Sequence, residues 1–160
     1  MVLIWCALLG SLLVGGQTND RRIPLSADEQ QLLDLANAAR KKEGLPALQL
    51  NAVLLRIARE HAANMARQEK MAHHLDGKGP AERAIQAGYD YLVIRENLAC
   101  AENEVDVAPP PPTEIHQKWL DSKGHRANLL HPRVNEIGLA RVRSKKGAYF
   151  YVQVLGLRRE

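Results

Sequence analysis

The spacing of the hydrophobic residues changes along this chain, and the change limits the folds that the chain can adopt. In residues 27–43 the apolar side chains recur three or four positions apart, which is the period of a helix. In residues 137–142 and 149–154 they follow a period of two, which is typical of strands, and a turn lies between. Helices first and strands last predict an α+β domain in which helices pack on a small antiparallel sheet.

Capping residues predict where the helices begin and end. Ser26 and Glu29 form a capping box ahead of the first helix, and Gly44 stops that helix. The other three expected helices run from Asn51 to about residue 70, from Pro80 to Ala87, and from Thr113 to Gly124.

The overall composition favours one globular domain. Hydrophobic residues make up 46% of the 160 residues and charged residues 25%, which excludes a disordered tail, a collagen or a disulfide-dense miniprotein. The chain carries 22 basic and 18 acidic residues, and its formal charge of +4 is dispersed. A nucleic-acid partner is therefore not expected, since such proteins gather their charge into a patch.

The first sixteen residues contain no charged side chain and end in two glycines before a polar stretch. This run is shorter than the roughly 20 apolar residues that span a bilayer. It fits the core and cleavage region of a secretory signal peptide, although no basic residue precedes it. We therefore expect a signal peptide at 1–16, a leader at 17–26, one domain at 27–157 and a tail at 158–160. An uncleaved membrane anchor and a buried strand are the alternatives, and no stable transmembrane span is expected.

Removal of residues 1–16 would leave Cys100 as the single cysteine of the mature chain. An internal disulfide is then impossible, so the fold must depend on its hydrophobic core, which a chain of this length can supply.

Three polar segments with glycines stand out as candidate functional sequence. None of the six histidines lies in an HExxH motif, and the chain has no P-loop, GxGxxG or GxSxG motif. The three segments are MAHHLDGKG at 71–79, RENLA at 95–99 and WLDSKGHRANLL at 119–130.

The order and wording of these segments resemble the CAP superfamily, which comprises cysteine-rich secretory proteins, antigen 5 and pathogenesis-related 1. The disulfide-free prokaryotic branch is the most similar. Shorter matches are N-x-x-R at 37–40, A-x-x-H-A-x-x-M at 58–65, R-x-x-x-A-G-Y at 83–89 and Y-V-Q-V-x-G at 151–156. The likeness runs from about residue 32 to residue 156. It implies a three-layer α-β-α sandwich with a surface cleft where two histidines and two acidic residues converge.

Carried over by position, the resemblance implies a ligand cleft formed by His73, Glu96, Ser122 and His125. Two imidazoles and a carboxylate can hold Zn²⁺ at about 2.0 to 2.2 Å with a fourth position open to water. The expected metal ligands are therefore His73, Glu96 and His125. Since the imidazoles must be neutral, occupancy should weaken as the pH falls towards about 6.

This sequence departs from the family pattern at two positions. Arg95 replaces the usual glycine before Glu96, so a positive side chain could alter the turn or compete for the carboxylate. The fourth cleft position falls on Ser122, and the neighbouring Asp121 points about 100° away around a helix. With at most three strong ligands, we expect Zn²⁺ to bind weakly or to be absent.

Each histidine also has a simpler interpretation. His61 shares an apolar stripe and is expected in the core. His74 is expected to be exposed beside His73, although a shift of one residue would exchange their roles. His116 and His131 are expected at the surface, and His125 could merely bond a backbone carbonyl.

The resemblance favours a secreted binding module, extracellular or in the cell envelope, that is not an enzyme. Its cleft would hold a metal ion or small ligand, and its surface would meet a lipid or cell-surface component. The alternative is a hydrolase in which His73, Glu96 and His125 position a water, with or without metal, for attack on an amide or ester. A third possibility is the carriage of a sterol or fatty acid, which parts of the family are said to perform.

Overall fold

The computed structural model describes residues 24–101 and 108–159, and these ranges contain five helices and four strands. The helices are α1 Ala27–Lys42, α2 Ala52–Gln68, α3 Pro80–Gln86, α4 Pro112–Asp121 and α5 Lys123–Leu129. The strands are β1 Gln49–Leu50, β2 Tyr91–Ala101, β3 Glu136–Arg143 and β4 Tyr149–Arg158. The expected signal peptide and most of the expected leader lie outside the described residues.

The predicted caps of the first two helices are confirmed. The Ser26 hydroxyl accepts from the Glu29 backbone N–H at 3.2 Å, and the Glu29 carboxylate accepts from the Ser26 N–H at 2.8 Å. Asn51 caps α2 through its side-chain oxygen, which accepts from the backbone N–H groups of Val53 and Leu54. These local bonds satisfy N–H groups that a helix start leaves unpaired.

The fourth predicted helix is in fact two helices. The backbone of Ser122 is extended, so α4 ends at Asp121 and α5 begins at Lys123. Gly124, which was expected to stop the helix, lies inside α5, and Pro111 rather than Thr113 occupies the N-cap of α4. This break places His125 in the first turn of a separate helix.

The predicted C-terminal hairpin is confirmed, but the sheet is larger and mixed. Strands β3 and β4 pair antiparallel, and β4 also pairs antiparallel with β2. The short β1 pairs parallel with β3, so the strand order is β1-β3-β4-β2. The sequence did not predict β2, because Arg95, Glu96 and Asn97 interrupt the apolar pattern at its centre.

Helices cover both faces of the sheet, which confirms the three-layer α-β-α sandwich. One core joins α2 and α3 to the sheet through Leu54, Ala58, Met65, Leu98, Val152 and Val154. The other core joins α1 and α4 to the opposite face through Leu32, Ile115, Trp119, Tyr151 and Leu155. Since successive side chains of a strand point to opposite faces, β4 contributes to both cores along its length.

A glycine on β3 allows α2 to approach the sheet closely. A Cβ atom at Gly138 would overlap the backbone of Leu54 and Leu55. The missing side chain therefore sets the depth at which α2, and the His61 side chain it carries, packs on the sheet.

The N-x-x-R pattern of α1 builds an internal tie. Asn37 exchanges two hydrogen bonds with the backbone of Leu48, and Arg40 is fully buried. The Arg40 guanidinium donates to four backbone carbonyls, at distances of 2.8 to 3.1 Å, on Pro46, Leu129, His131 and Val134. It thereby fastens α1 to the loop before β1 and to the chain that follows α5.

Candidate functional site

Glu96 lies near the middle of β2, the edge strand of the sheet, on the face covered by α2 and α3. Its side chain is only 1% exposed. Burying a carboxylate away from water is unfavourable unless hydrogen bonds and an opposite charge compensate it.

Arg83 of α3 supplies the compensating charge. Its Nη2 donates to Glu96 Oε2 at 2.6 Å. Its Nη1 donates to the backbone carbonyls of His73 and Lys78, each at 2.9 Å. These two anchors hold the guanidinium in place and also fix the segment that carries His73.

His73 engages the other carboxylate oxygen. Its Nδ1 lies 2.8 Å from Glu96 Oε1, and its side chain is 47% exposed. Because a carboxylate can only accept, Nδ1 carries the proton and Nε2 has an open lone pair when the ring is neutral. Of the two neighbouring histidines, His73 is thus the one that contacts Glu96, whereas the His74 ring lies against Gly79.

His61 is buried in the core, as expected, but it is also a second imidazole beside Glu96. Its Nε2 donates to the Ala72 carbonyl at 3.0 Å and lies 3.9 Å from Glu96 Oε1. Burial lowers the pKa of His61, against the opposing effect of the Glu96 carboxylate. Its Nδ1 is buried and has no hydrogen-bond partner among the described residues.

A buried amide network fixes α5 to the strand that carries Glu96. Asn97 donates to the His125 carbonyl at 3.0 Å and to Gln153 Oε1 at 2.9 Å. Asn128 donates to Asn97 Oδ1 at 2.9 Å and to the Glu96 carbonyl at 3.1 Å. Glu96 and Asn97 are successive strand residues, so one faces the imidazoles while the other positions α5.

The His125 imidazole lies near His73 and forms no bond to Glu96 in the described residues. Its pKa is lowered by burial and then by the charge of nearby His73. No ion pair joins His125 to Glu96 in the described parts of the chain. The structure therefore brings His73 and Glu96 into contact and places His125 beside them as a half-buried neutral imidazole.

The remaining expected cleft positions take no part in this contact. Ser122 lies at the break between α4 and α5, and within the described ranges its hydroxyl bonds neither histidine. Asp121 accepts from Gln117 at 2.8 Å on the exposed side of α4.

The expected competition from Arg95 for the Glu96 carboxylate is wrong. Arg95 points to the other side of β2, where its nearest partner is Asn128 Oδ1 at 3.4 Å. The arginine that takes the carboxylate is Arg83, from another element.

The residues as placed do not fit a resident metal ion. Arg83 and His73 each occupy one oxygen of Glu96, and the positive guanidinium opposes a second cation at that carboxylate. Across residues 24–101 and 108–159 no group of three or more His, Cys, Asp or Glu side chains could hold a metal ion. Zinc binding by His73, Glu96 and His125 stays a prediction.

Sequence reasoning assigned no site role to Arg83 and placed His61 in the core alone. Arg83 belongs to a matched motif, but which charge it meets depends on how α3 packs against β2. The expectation that His116 lies at the surface is also wrong. It is 6% exposed because α4 turns this face towards α1, and burial lowers its pKa.

Within the described residues, none of the helices has the length and apolar character needed to cross a membrane.

Comparison with known proteins identifies a matching family and similar folds. The sequence model of the cysteine-rich secretory protein family, CAP, matches residues 33–155. The uncharacterized protein YkwD of Bacillus subtilis is 31% identical over 133 residues, which cover 82% of this chain and 48% of YkwD. The chain thus spans about half the length of that relative.

Two solved structures share the fold. An outer surface protein of Borrelia burgdorferi superposes with a TM-score of 0.75 at 23% identity, covering 86% of this chain and 97% of that one. An extracellular SCP-domain protein of Bacillus anthracis superposes with a TM-score of 0.68 at 24% identity, covering 85% of this chain and 45% of that one.

Proposed function

Because the chain belongs to the cysteine-rich secretory protein (CAP) family, we propose that it is an exported binding protein. Its cleft around His73, Glu96 and His125 would receive a small polar ligand without transforming it. The names of two structural relatives, an outer surface protein and an extracellular protein, support the location outside the cell or in its envelope.

The arrangement of Glu96 carries the proposal. A side chain that is 1% exposed, with a hydrogen bond on each oxygen, offers no open carboxylate oxygen to activate a water. Glu96 instead orients the His73 ring, whose exposed Nε2 can accept a hydrogen bond. His125 adds a second imidazole that is neutral near pH 7. The cleft therefore suits a ligand that donates hydrogen bonds, such as a hydroxyl or an amide.

The test compares two adjacent histidines. Monosaccharides and short peptide amides are titrated into ¹⁵N-labelled protein, and backbone NMR shifts of α5 and of residues 71–79 are followed. A binding probe should shift these signals in the unmodified protein and in His74→Ala, but not in His73→Ala. If no probe of either class shifts them, or if His74→Ala abolishes the response as fully as His73→Ala, the proposal is wrong.

Zinc is tested separately by calorimetry. Since Arg83 already neutralises Glu96, we expect Zn²⁺ to bind Arg83→Met at least about tenfold more tightly than the unmodified chain. Zn²⁺ binding that is as tight in the unmodified chain as in Arg83→Met would contradict this expectation.

A hydrolase is the second candidate, and one observation favours it. The His73–Glu96 pair has the geometry of a general base with its orienting carboxylate, at 2.8 Å. If this pair is catalytic, hydrolysis of p-nitrophenyl acetate or labelled casein should fall about 100-fold in His73→Ala. Turnover that survives in His73→Ala would exclude this role.

A third candidate, fatty-acid carriage, is supported by a cavity of about 320 Å³ between α1 and α4. Its apolar lining comprises Leu35, Ala38, Ala39, Leu120 and Leu130. A fluorescent fatty acid should bind the unmodified chain and be excluded by Leu120→Arg, whereas equal binding to both would exclude this cavity.

A further inference from the structure

A second cavity, between α2 and α3, is lined by more positive than negative charge. Its volume is about 610 Å³. Four basic residues line it, together with one acidic residue, Glu60; the basic residues are Arg56, Arg67, Lys78 and Arg83. We call this cavity the basic groove.

Three of these cations have no carboxylate partner. Among the described residues only Arg83 forms an ion pair within 4.0 Å, and its partner is Glu96. Arg56 donates to the Ala87 carbonyl, and Arg67 donates to Asn64. The positive charges of Arg56, Arg67 and Lys78 are therefore available to a ligand.

One further carboxylate lies close to the groove. Hydrogen bonds from Asn64 and Gln68 lower the pKa of Asp76, and the charges of nearby Arg67 and Lys78 lower it further. Its oxygens accept from the side-chain amides of Asn64 and Gln68. Asp76 thus moderates the positive potential at this end of the groove without forming an ion pair there.

One buried donor in the groove lining is also unpartnered. Arg83 lines the groove, and its Nε is buried without a hydrogen-bond partner in the described residues. A buried donor without a partner is unfavourable, and a phosphate oxygen is an acceptor that would supply one.

The spacing of the cations sets the size of the ligand. Arg56 and Arg67 are eleven residues apart on α2, which corresponds to about 16 Å along the helix axis. This separation is several times the size of a single phosphate. Glu60 lies between them on the same helix, so the favourable contacts are at the two ends of the groove.

We propose that the basic groove binds an extended, soluble chain of phosphate groups, with one end at Arg56 and the other at Arg67 and Lys78. Guanidinium groups match phosphate oxygens in geometry as well as in charge. This site is separate from the hydrogen-bonding surface of His73 and His125, and it requires neither a metal ion nor the proposed function of that cleft.

The test uses linear inorganic polyphosphate long enough to span about 16 Å, with binding measured by calorimetry at physiological salt. Arg56→Gln/Arg67→Gln should weaken binding by at least about tenfold. The matched control, Arg126→Gln/Arg133→Gln, removes the same charge from exposed positions outside the groove and should change binding less than about twofold. Circular dichroism checks that both variants are folded, and Arg83 is unchanged so that Glu96 keeps its partner.

Three results would overturn the proposal. Equal losses in the two double variants would mean that polyphosphate responds to net charge alone. Orthophosphate binding as tight as polyphosphate would contradict the extended ligand. The third measurement uses vesicles of phosphatidylglycerol, which we expect to bind more weakly than polyphosphate. Tighter binding of the vesicles would mean that the groove binds a membrane surface instead.

Discussion

Arg40 and Glu96 are both charged side chains buried in the same domain, but the chain compensates their charges differently. Arg40 is fully buried and donates only to backbone carbonyls. The Glu96 side chain is 1% exposed and accepts from two side chains, Arg83 and His73. The His73 side chain is half exposed, so one of these partners reaches solvent.

The difference separates a structural tie from the proposed binding site. The four carbonyls around Arg40 lie on the loop before β1, at the end of α5 and on the chain that follows it. Burial lowers the pKa of Arg40, and no carboxylate among the described residues forms an ion pair with it. Around Glu96 the polar groups are less completely paired, since His61 Nδ1 lacks a partner in the described residues. A polar group without a partner, next to an exposed imidazole, is available to a ligand. In a structural tie the polar groups are paired within the protein.

The largest expected effect is on Arg40. Arg40→Met should lower the free energy of unfolding by about 3 to 5 kcal/mol, because it leaves four carbonyls without their donor, and those of Leu129 and Val134 are buried. Urea denaturation measures this change. The control Arg126→Met removes an exposed arginine paired with Glu43 and should cost less than about 1 kcal/mol. A similar small loss in both variants would contradict a structural role for Arg40.

The second prediction concerns the Arg83–Glu96 pair. Arg83→Met should destabilise the fold by about 3 kcal/mol, because it leaves a buried carboxylate without its cation. Adding Glu96→Leu should recover part of that loss, since an apolar pair needs no charge compensation. Arg40 has only backbone partners, so no second side-chain substitution can rescue Arg40→Met in this way. Urea denaturation of the single and double variants measures this recovery. If the losses of stability from the two single substitutions simply add in the double variant, direct pairing of Arg83 with Glu96 is contradicted.

The smallest expected effect is on pH dependence. Burial is the main reason why the pKa values of His61 and His125 lie below their ordinary value. In the unfolded chain both rings bind a proton near pH 6.5. Below that pH the unfolded state therefore binds more protons than the folded state does. The free energy of unfolding at pH 7 then falls as the pH falls, by at most about 1.4 kcal/mol per pH unit for each ring.

Urea denaturation between pH 7 and pH 5 tests this dependence. His61→Gln should reduce the slope, while His74→Gln, at an exposed position, serves as the control. An unchanged slope in His61→Gln would mean that His61 is not a buried neutral ring.

The sequence predicted the helices and strands that a short stretch of neighbouring residues is enough to identify. The capping box of Ser26 and Glu29 marks α1, and the alternation in β3 and β4 marks the hairpin. Strand β2 was not predicted because the polar residues Arg95, Glu96 and Asn97 at its centre break the apolar pattern that identifies a buried strand.

The site itself was only partly predictable. Resemblance to a family indicated His73 and Glu96, and the structure shows these two in contact. The role of Arg83 was not predictable, because its pairing with Glu96 depends on the packing of α3 against β2 rather than on any spacing in the chain. The contact of His61 with Glu96 was not predictable for the same reason. The apolar neighbours of His61 on α2 indicate a core position, but they do not show which carboxylate lies next to it.

The protonation of the two imidazoles beside Glu96 tests the central claim most directly. Long-range ¹H–¹⁵N NMR of the histidine rings, recorded above their ordinary pKa of about 6.5, distinguishes the two neutral tautomers. His73 should carry its proton on Nδ1, which donates to Glu96, and His61 should carry its proton on Nε2, which donates to Ala72. The account predicts these two different tautomers, and it predicts that His73 loses its preference for the Nδ1 proton in Glu96→Gln. That result would support a carboxylate that orients the His73 ring and leaves its Nε2 free to accept a hydrogen bond. A His73 ring protonated on Nε2, or one unaffected by Glu96→Gln, would contradict it.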